Sequence, residues 1–169
     1  MINKKMLAAI NDQINYELYS GYLYLSMSAW YASINLPGCA NWMRVQEQEE
    51  RFHALKFYDY VIARGGEVKL SAIEGPPVSW SKTVDPFKDG YAHEVKVTAR
   101  INNLKALAMD EKDFATVTFL DWYVTEQVEE EMNADNIIKQ FDLIGDDRSA
   151  LFMLDRELAT RVFVPPAVV

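Results

Sequence analysis

Residues 41–66 read NWMRVQEQEERFHALKFYDYVIARGG, and this stretch decides the architecture. It has no Pro, and no Gly before Gly65, so nothing in it breaks a helix. Stepping by three and four residues gives Met43, Gln46, Glu50, His53, Phe57, Tyr60 and Arg64 on one face. Glu50 and His53 therefore sit one turn apart between Met43 and Phe57, an acid and an imidazole aimed into an apolar interface. A helix of this kind needs partners that both cover its apolar residues and answer its charge.

The rest of the chain supplies them. Helix breakers cluster at Pro37-Gly38, Gly65-Gly66 and Gly75-Pro76-Pro77, with Pro86, Gly90, Gly145 and Pro165-Pro166 beyond. The intervals predict helices over 3–33, 38–65, 86–112 and 114–142 and a short fifth over 147–161. No segment alternates like a strand for long. Tight connections at 35–38 and 110–113 make the first and second helices, and the third and fourth, antiparallel neighbours. From Gly66 to Asp85 the chain is rich in turn formers. At ~3.3 Å per residue this segment reaches about 66 Å, more than the ~40 Å of the second helix, so helices two and three run parallel across one long crossover. The expected fold is all-α: one domain, with a four-helix bundle over 1–145 and a short C-terminal helix and tail over 146–169.

Composition sets the outer bounds. Half of the 169 residues are hydrophobic, and Gly and Pro number only 7 and 6, which excludes collagen and low-complexity disordered chains. Seventeen basic against 25 acidic residues leave a net charge of −8, the wrong sign for coating nucleic acid and the right one for cations. The single cysteine, Cys39, has no disulfide partner within the chain and is expected to be a buried thiol. No window approaches the ~20 apolar residues of a membrane span, and the N-terminus lacks a signal-peptide core, so the expected compartment is the cytoplasm.

The other three stripes carry acids too. They read Leu7, Ile10, Ile14, Glu17, Gly21, Tyr24 and Ser28 in the first helix; Gly90, Glu94, Val97, Ile101, Leu104 and Ala108 in the third; and Leu120, Tyr123, Gln127, Glu130, Ala134, Ile137 and Phe141 in the fourth. Antiparallel packing brings Glu17, Glu50 with His53, Glu94, and Gln127 with Glu130 to a similar height. Four carboxylates and an imidazole in a low-dielectric core raise one another's pKa and cost several kcal/mol unless neutralised. Two divalent cations with hard oxygen ligands and one imidazole satisfy them, which suits iron or manganese. Glu49, Glu126 and Glu129 flank the same level, and together with Glu130 they offer oxygen ligands for a third cation. Tyr24 lies two turns from Glu17 on the same face, so its hydroxyl can approach the site and donate a hydrogen bond or an electron. Trp42, Phe57, Trp122 and Tyr123 read as core packing. His93, rotated about 100° from Glu94, is expected on the outer face.

Taken together, NYELYSGYLYLSMSAWY, NWMRVQEQEERFHALKFYDYVIARGG, HEVKVTARIN and EKDFATVTFLDWYVTEQVEEE resemble the ferritin family, specifically its non-haem prokaryotic branch, over essentially the whole chain. The resemblance implies a hollow shell of 24 subunits in which iron(II) is oxidised by dioxygen or peroxide and stored as a ferric oxyhydroxide mineral. By position it assigns Glu17, Glu50 and His53 to the first iron and Glu50, Glu94 and Glu130 to the second, with Gln127 beside the pair and Tyr24 next to it. It also assigns Glu49, Glu126, Glu129 and Glu130 to a third iron site. The bundle pattern for such centres is a Glu from each of two helices plus a Glu-x-x-His from each of the others. Helix four departs from it with Gln127 and Glu130. Bacterioferritins, as the resemblance has it, pair a second Glu-x-x-His with a haem-ligating Met after the helix-two Glu, where this chain has Arg51, so no haem is expected. A rubrerythrin-like peroxidase is opposed by the lack of a Cys-x-x-Cys module. A DNA-coating mini-ferritin is opposed by the acidic balance.

Overall fold

The computed structural model describes residues 1–165 and contains α1 (Lys4–Ser33), α2 (Pro37–Ala63), α3 (Asp85–Asp110), α4 (Phe114–Ile144) and α5 (Arg148–Leu158), with no strand among the described residues. The last four residues of the expected tail lie outside the described residues. Side-chain caps open three of the five helices. Asn3 opens α1 by accepting from the Met6 N–H at 2.8 Å, and Asp113 and Asp147 do the same for α4 and α5. Pro37 stands in the first turn of α2, where its missing N–H costs nothing. Asn35, Gly65 and Lys112 take positive φ just past α1, α2 and α3. The next amide then returns to the helix, Leu36 to the Tyr31 carbonyl, Gly66 to Val61 and Asp113 to Ala108.

The crossover from Arg64 to Val84 carries its backbone polar groups along α1. Asn11 bonds the Glu67 carbonyl and the Lys69 amide, Asn15 bonds Ala72 and Ser71, Ser26 donates to Pro77, and Tyr31 donates to Thr83. The chain thus climbs from the start of α1 to its far end before α3 begins, which makes α2 and α3 parallel. At the top, α5 crosses the beginning of α2. Gly38 permits this crossing, since a Cβ there would stand 1.6 Å from the Asp155 carbonyl oxygen. Asp155 Oδ1 accepts the Cys39 amide at 2.8 Å, and Cys39 is buried and free.

Helix α5 stops earlier than the expected residue 161. Asn41 Nδ2 takes the carbonyls of Leu158, Ala159 and Arg161 at 3.3, 3.4 and 2.9 Å, drawing the chain out of helical geometry and onto α2.

The apolar core falls into two clusters. One, around Tyr31, Met27, Met43, Phe87 and Phe141, fills the end where α5 docks. The other, around Met6, Ile10, Phe57, Ile101, Leu120 and Tyr123, fills the opposite end. Each such buried side chain contributes roughly 1.5–3 kcal/mol. Between the two clusters lies a belt of buried polar groups: Gln13, Glu17, Ser20, Gln46, Glu50, His53, His93, Glu94, Gln127 and Glu130.

Candidate metal centre

Each helix delivers its acid to this belt through the three-and-four spacing of its apolar face. Ligand atoms of Glu17, Glu50 and His53 lie within 4.8 Å of one another, and those of His53, Glu126 and Glu130 form a second such group. His53 Nδ1 stands 3.4 Å from Glu50 Oε2, and Nε2 stands 4.0 Å from Glu126 Oε1. Tyr123 fixes this turn of α2 by donating to the His53 carbonyl at 2.8 Å, while the Trp122 ring meets the imidazole edge-on.

Glu94 is held from the other side. Tyr24 donates its hydroxyl to Glu94 Oε1, and Gln127 Nε2 donates to Oε2 at 3.2 Å. Gly90 makes the Tyr24 contact possible, because a Cβ there would press on the phenol ring at 3.3 Å. Glu94 therefore has both oxygens engaged, and it joins the site through its hydrogen bonds and not through the two close groups of ligand atoms.

Two glutamines outside the expected ligand set complete the frame. Gln13 Nε2 donates to Glu17 Oε1 at 2.8 Å, and its own carbonyl accepts from Arg100 Nε at 2.9 Å. Gln46 Nε2 donates to Glu130 Oε2 at 2.6 Å, and its carbonyl accepts from Arg161 Nη1 at 2.9 Å. In both relays an arginine orients an amide, and the amide orients a buried carboxylate. Gln46 stood on the apolar stripe of α2 and Gln13 lies one turn before Glu17; their position was the available signal.

What remains unmatched is the informative part. Glu17 Oε2 and both oxygens of Glu50 are buried with no hydrogen-bond partner. Burial pushes Glu17 up to about 7, with Glu94 adding to the rise and the Gln13 amide opposing it. Burial, then the charges of Glu94 and Glu17, drives Glu50 well above the usual carboxylate range, and burial with Glu94 does the same for Glu130. His53 is pushed down to about 3 by burial and, secondarily, by Lys56, so its ring is neutral at physiological pH, the form that ligates metal. Orphaned carboxylate oxygens facing a neutral imidazole fit a pair of hard divalent cations: the cations supply the positive charge that the side chains lack.

The flanking acids differ. Glu126 is half-buried beside His53, Glu129 is exposed, and Glu49 is turned away to an ion pair with Arg161 at 2.5 Å. Only Glu126 and Glu130 of this expected set come together with His53. His93 also departs from expectation: it is buried, stacked on Tyr16 at 5.2 Å, and its Nε2 lies 2.7 Å from Ser20 Oγ. The small Ser20 leaves room for the ring between α1 and α3, so the buried face of α3 is wider than one stripe.

The Ferritin family model, a ferritin-like domain, matches residues 7–144. Curated bacterial non-heme ferritins of Staphylococcus aureus (strain MRSA252) and Staphylococcus saprophyticus are 39% and 42% identical over 163 residues, covering 96% of this chain and 98% of theirs. The chain belongs to the ferritin family. Among solved structures, a ferritin of Archaeoglobus fulgidus engineered into a closed form is 54% identical, covers 97% of this chain and all of its own, and superposes with a TM-score of 0.96. The open-pore ferritin of the same hyperthermophilic archaeon is likewise 54% identical, covers 96% of this chain and all of its own, and gives 0.95. The all-helical bundle with a short fifth helix is the architecture of these ferritins. No helix among the described residues is long and apolar enough to cross a membrane.

Proposed function

We propose that this chain is an iron-storage ferritin of the non-haem type, acting in the cytoplasm as a ferroxidase. In this reading Glu17, Glu50 and His53 bind one iron(II), Glu50, Glu94 and Glu130 bind a second, and Gln127 and Tyr24 border the pair. Iron is the substrate. Dioxygen takes two electrons, one from each iron(II), so that peroxide forms without release of lone superoxide; peroxide is the alternative oxidant. Anionic carboxylates favour the iron(III) product, while Gln127 in place of a stronger ligand lets it depart. The oxidised iron enters a ferric oxyhydroxide mineral within a hollow homo-oligomer of about 24 subunits, near 470 kDa by closed symmetry.

One observation carries the reading: four helices bury four carboxylates at one level and leave three of their oxygens without a partner. The chain's own groups hold the rest of the apparatus. Gln13 and Gln46 fix one oxygen each of Glu17 and Glu130, Tyr24 and Gln127 fix Glu94, and the two apolar clusters exclude water above and below.

Mixing iron(II) with aerated protein and following near-ultraviolet absorbance by stopped flow tests it. Rapid oxidation in the native protein and its loss in Glu50→Ala is the expected result; equal rates in both would refute the assignment. Gln127→His is expected to retain more oxidised iron at the centre and to slow later turnovers.

A further inference from the structure

After α5 the chain folds back along the outside of α2, tied at one end by Asn41 and at the other by Phe163, whose ring centroid lies 6.5 Å from that of Phe52. Between these ties the Arg161 guanidinium lies over the Trp42 ring at 4.3 Å. Its Nη2 donates to Glu49 Oε2 at 2.5 Å, and its Nη1 donates to Gln46 Oε1 at 2.9 Å and to the Trp42 carbonyl at 3.4 Å. Trp42, Gln46 and Glu49 follow one another at helical spacing, so a single flat cation spans a ring, an amide and a carboxylate on one face of α2. Arginine and glutamate are each only about one-fifth exposed.

The acids beside it are short of positive charge. Glu49 feels the repulsion of Glu126 and Glu129 as well as the attraction of Arg161, and Glu126 feels Glu129 against Lys56. Lys56 itself is drawn over the Trp122 ring at 4.4 Å. Arg161 and Lys56 supply two positive charges against the three negative ones of Glu49, Glu126 and Glu129, and a divalent cation in place of the guanidinium balances them better. Because a guanidinium stays charged at any relevant pH, it meets such a cation as a competitor for Glu49 and not as a titrating group.

We propose that Arg161 is the resident counter-ion of the outer acidic site, so that a divalent cation gains Glu49 only by displacing the guanidinium. The inference rests on reading Glu49, Glu126, Glu129 and Glu130 as a cation site, and it adds that the segment after α5 sets that site's affinity. Displacement would also free the Gln46 carbonyl, linking the outer site to the amide that braces Glu130.

Anaerobic calorimetric titration of the assembled, metal-free protein with zinc(II), which cannot be oxidised, tests this. Native protein is expected to show two tight equivalents per subunit and one weaker. Arg161→Gln should tighten the weaker one about tenfold, one decade in Kd, and should loosen the tight pair by no more than removing the Gln46 amide itself does, since Arg161 reaches Glu130 only through that amide. Arg161→Lys, which keeps the charge but loses the fork, should fall between. Trp42 gives a second readout: its emission should shift with the weaker equivalent in native protein, and that shift should vanish in both Arg161→Gln and Trp42→Phe. A weaker equivalent that is unchanged or loosened in Arg161→Gln would overturn the role of Arg161. Absence of that equivalent in both proteins, with the tight pair intact, would instead overturn the outer cation site.

Discussion

Glu49 and Glu50 are consecutive residues that meet opposite conditions. Glu50 points into the belt, where both of its oxygens are buried without a partner, whereas Glu49 points outward and grips Arg161. A turn of about 100° separates an acid kept waiting for a cation from an acid already supplied with one. The inner site is readied by withholding counter-charge, and the amides of Gln13 and Gln46 keep its carboxylates aimed. The outer site is partly exposed, its acids repel one another, and the protein itself already supplies Glu49 with a cation. The inner acids should therefore bind metal tightly and with proton release, and the outer ones weakly and by exchange.

Removing Glu50 should break this contrast most severely. Glu50→Ala is expected to lower the initial rate of iron(II) oxidation by at least about a hundredfold, the loss of roughly 2.7 kcal/mol of transition-state stabilisation. In the milder Glu50→Gln, metal-free protein should melt higher than native protein by scanning calorimetry at neutral pH, because burial holds the Glu50 carboxyl far above its unfolded range, so folding there must take up a proton that an amide does not need.

The next effect is that of pH. Glu17, held at about 7, must lose its proton before it ligates, and Glu50 and Glu130 are raised further. Affinity of the inner site for zinc(II) should therefore rise from pH 6 to 8. His53, at about 3, is neutral throughout that window and contributes no slope. Titrations in two buffers of different ionisation heat should show protons released by the tight equivalents; affinity that is flat over this range would contradict the raised carboxylates.

Smaller effects come from the frame. Gln13→Ala or Gln46→Ala should loosen the tight pair by about tenfold, within the ~10–100-fold usual for groups that orient metal ligands. His93→Ala should cost about 2 kcal/mol in chemical denaturation, through the vacated space beside Tyr16 and the lost Ser20 contact, while iron oxidation stays within about threefold. Least of all, Glu129→Gln should leave the tight pair unchanged and alter the outer site by no more than about threefold, since Glu129 is exposed.

The parts of this organisation that were legible in the sequence are those written in local spacing. Pro37, Gly65 and Gly145 mark helix ends within a residue or two, and the acids on four apolar stripes point to a shared level because an acid on such a stripe has nowhere else to go. The parts that were not legible depend on distant partners. Gln13 becomes a brace only because Arg100, 87 residues away, turns its amide, and Gln46 because Arg161, 115 residues away, does the same. Neither pairing leaves a trace in the spacing of one helix. His93 departs from its expected outer face because α3 buries more than a single stripe against both α1 and α4. Helix α5 ends short of residue 161 because Asn41, on another helix, captures the carbonyls that would have extended it.

The most direct test of the buried centre is anomalous diffraction at the iron edge from crystals of the native protein soaked anaerobically in iron(II). Two strong peaks per subunit are expected inside the bundle, one touching Glu17, Glu50 and His53 and one touching Glu50, Glu94 and Glu130. Peaks confined to exposed carboxylates, with density at Glu50 unchanged, would contradict it.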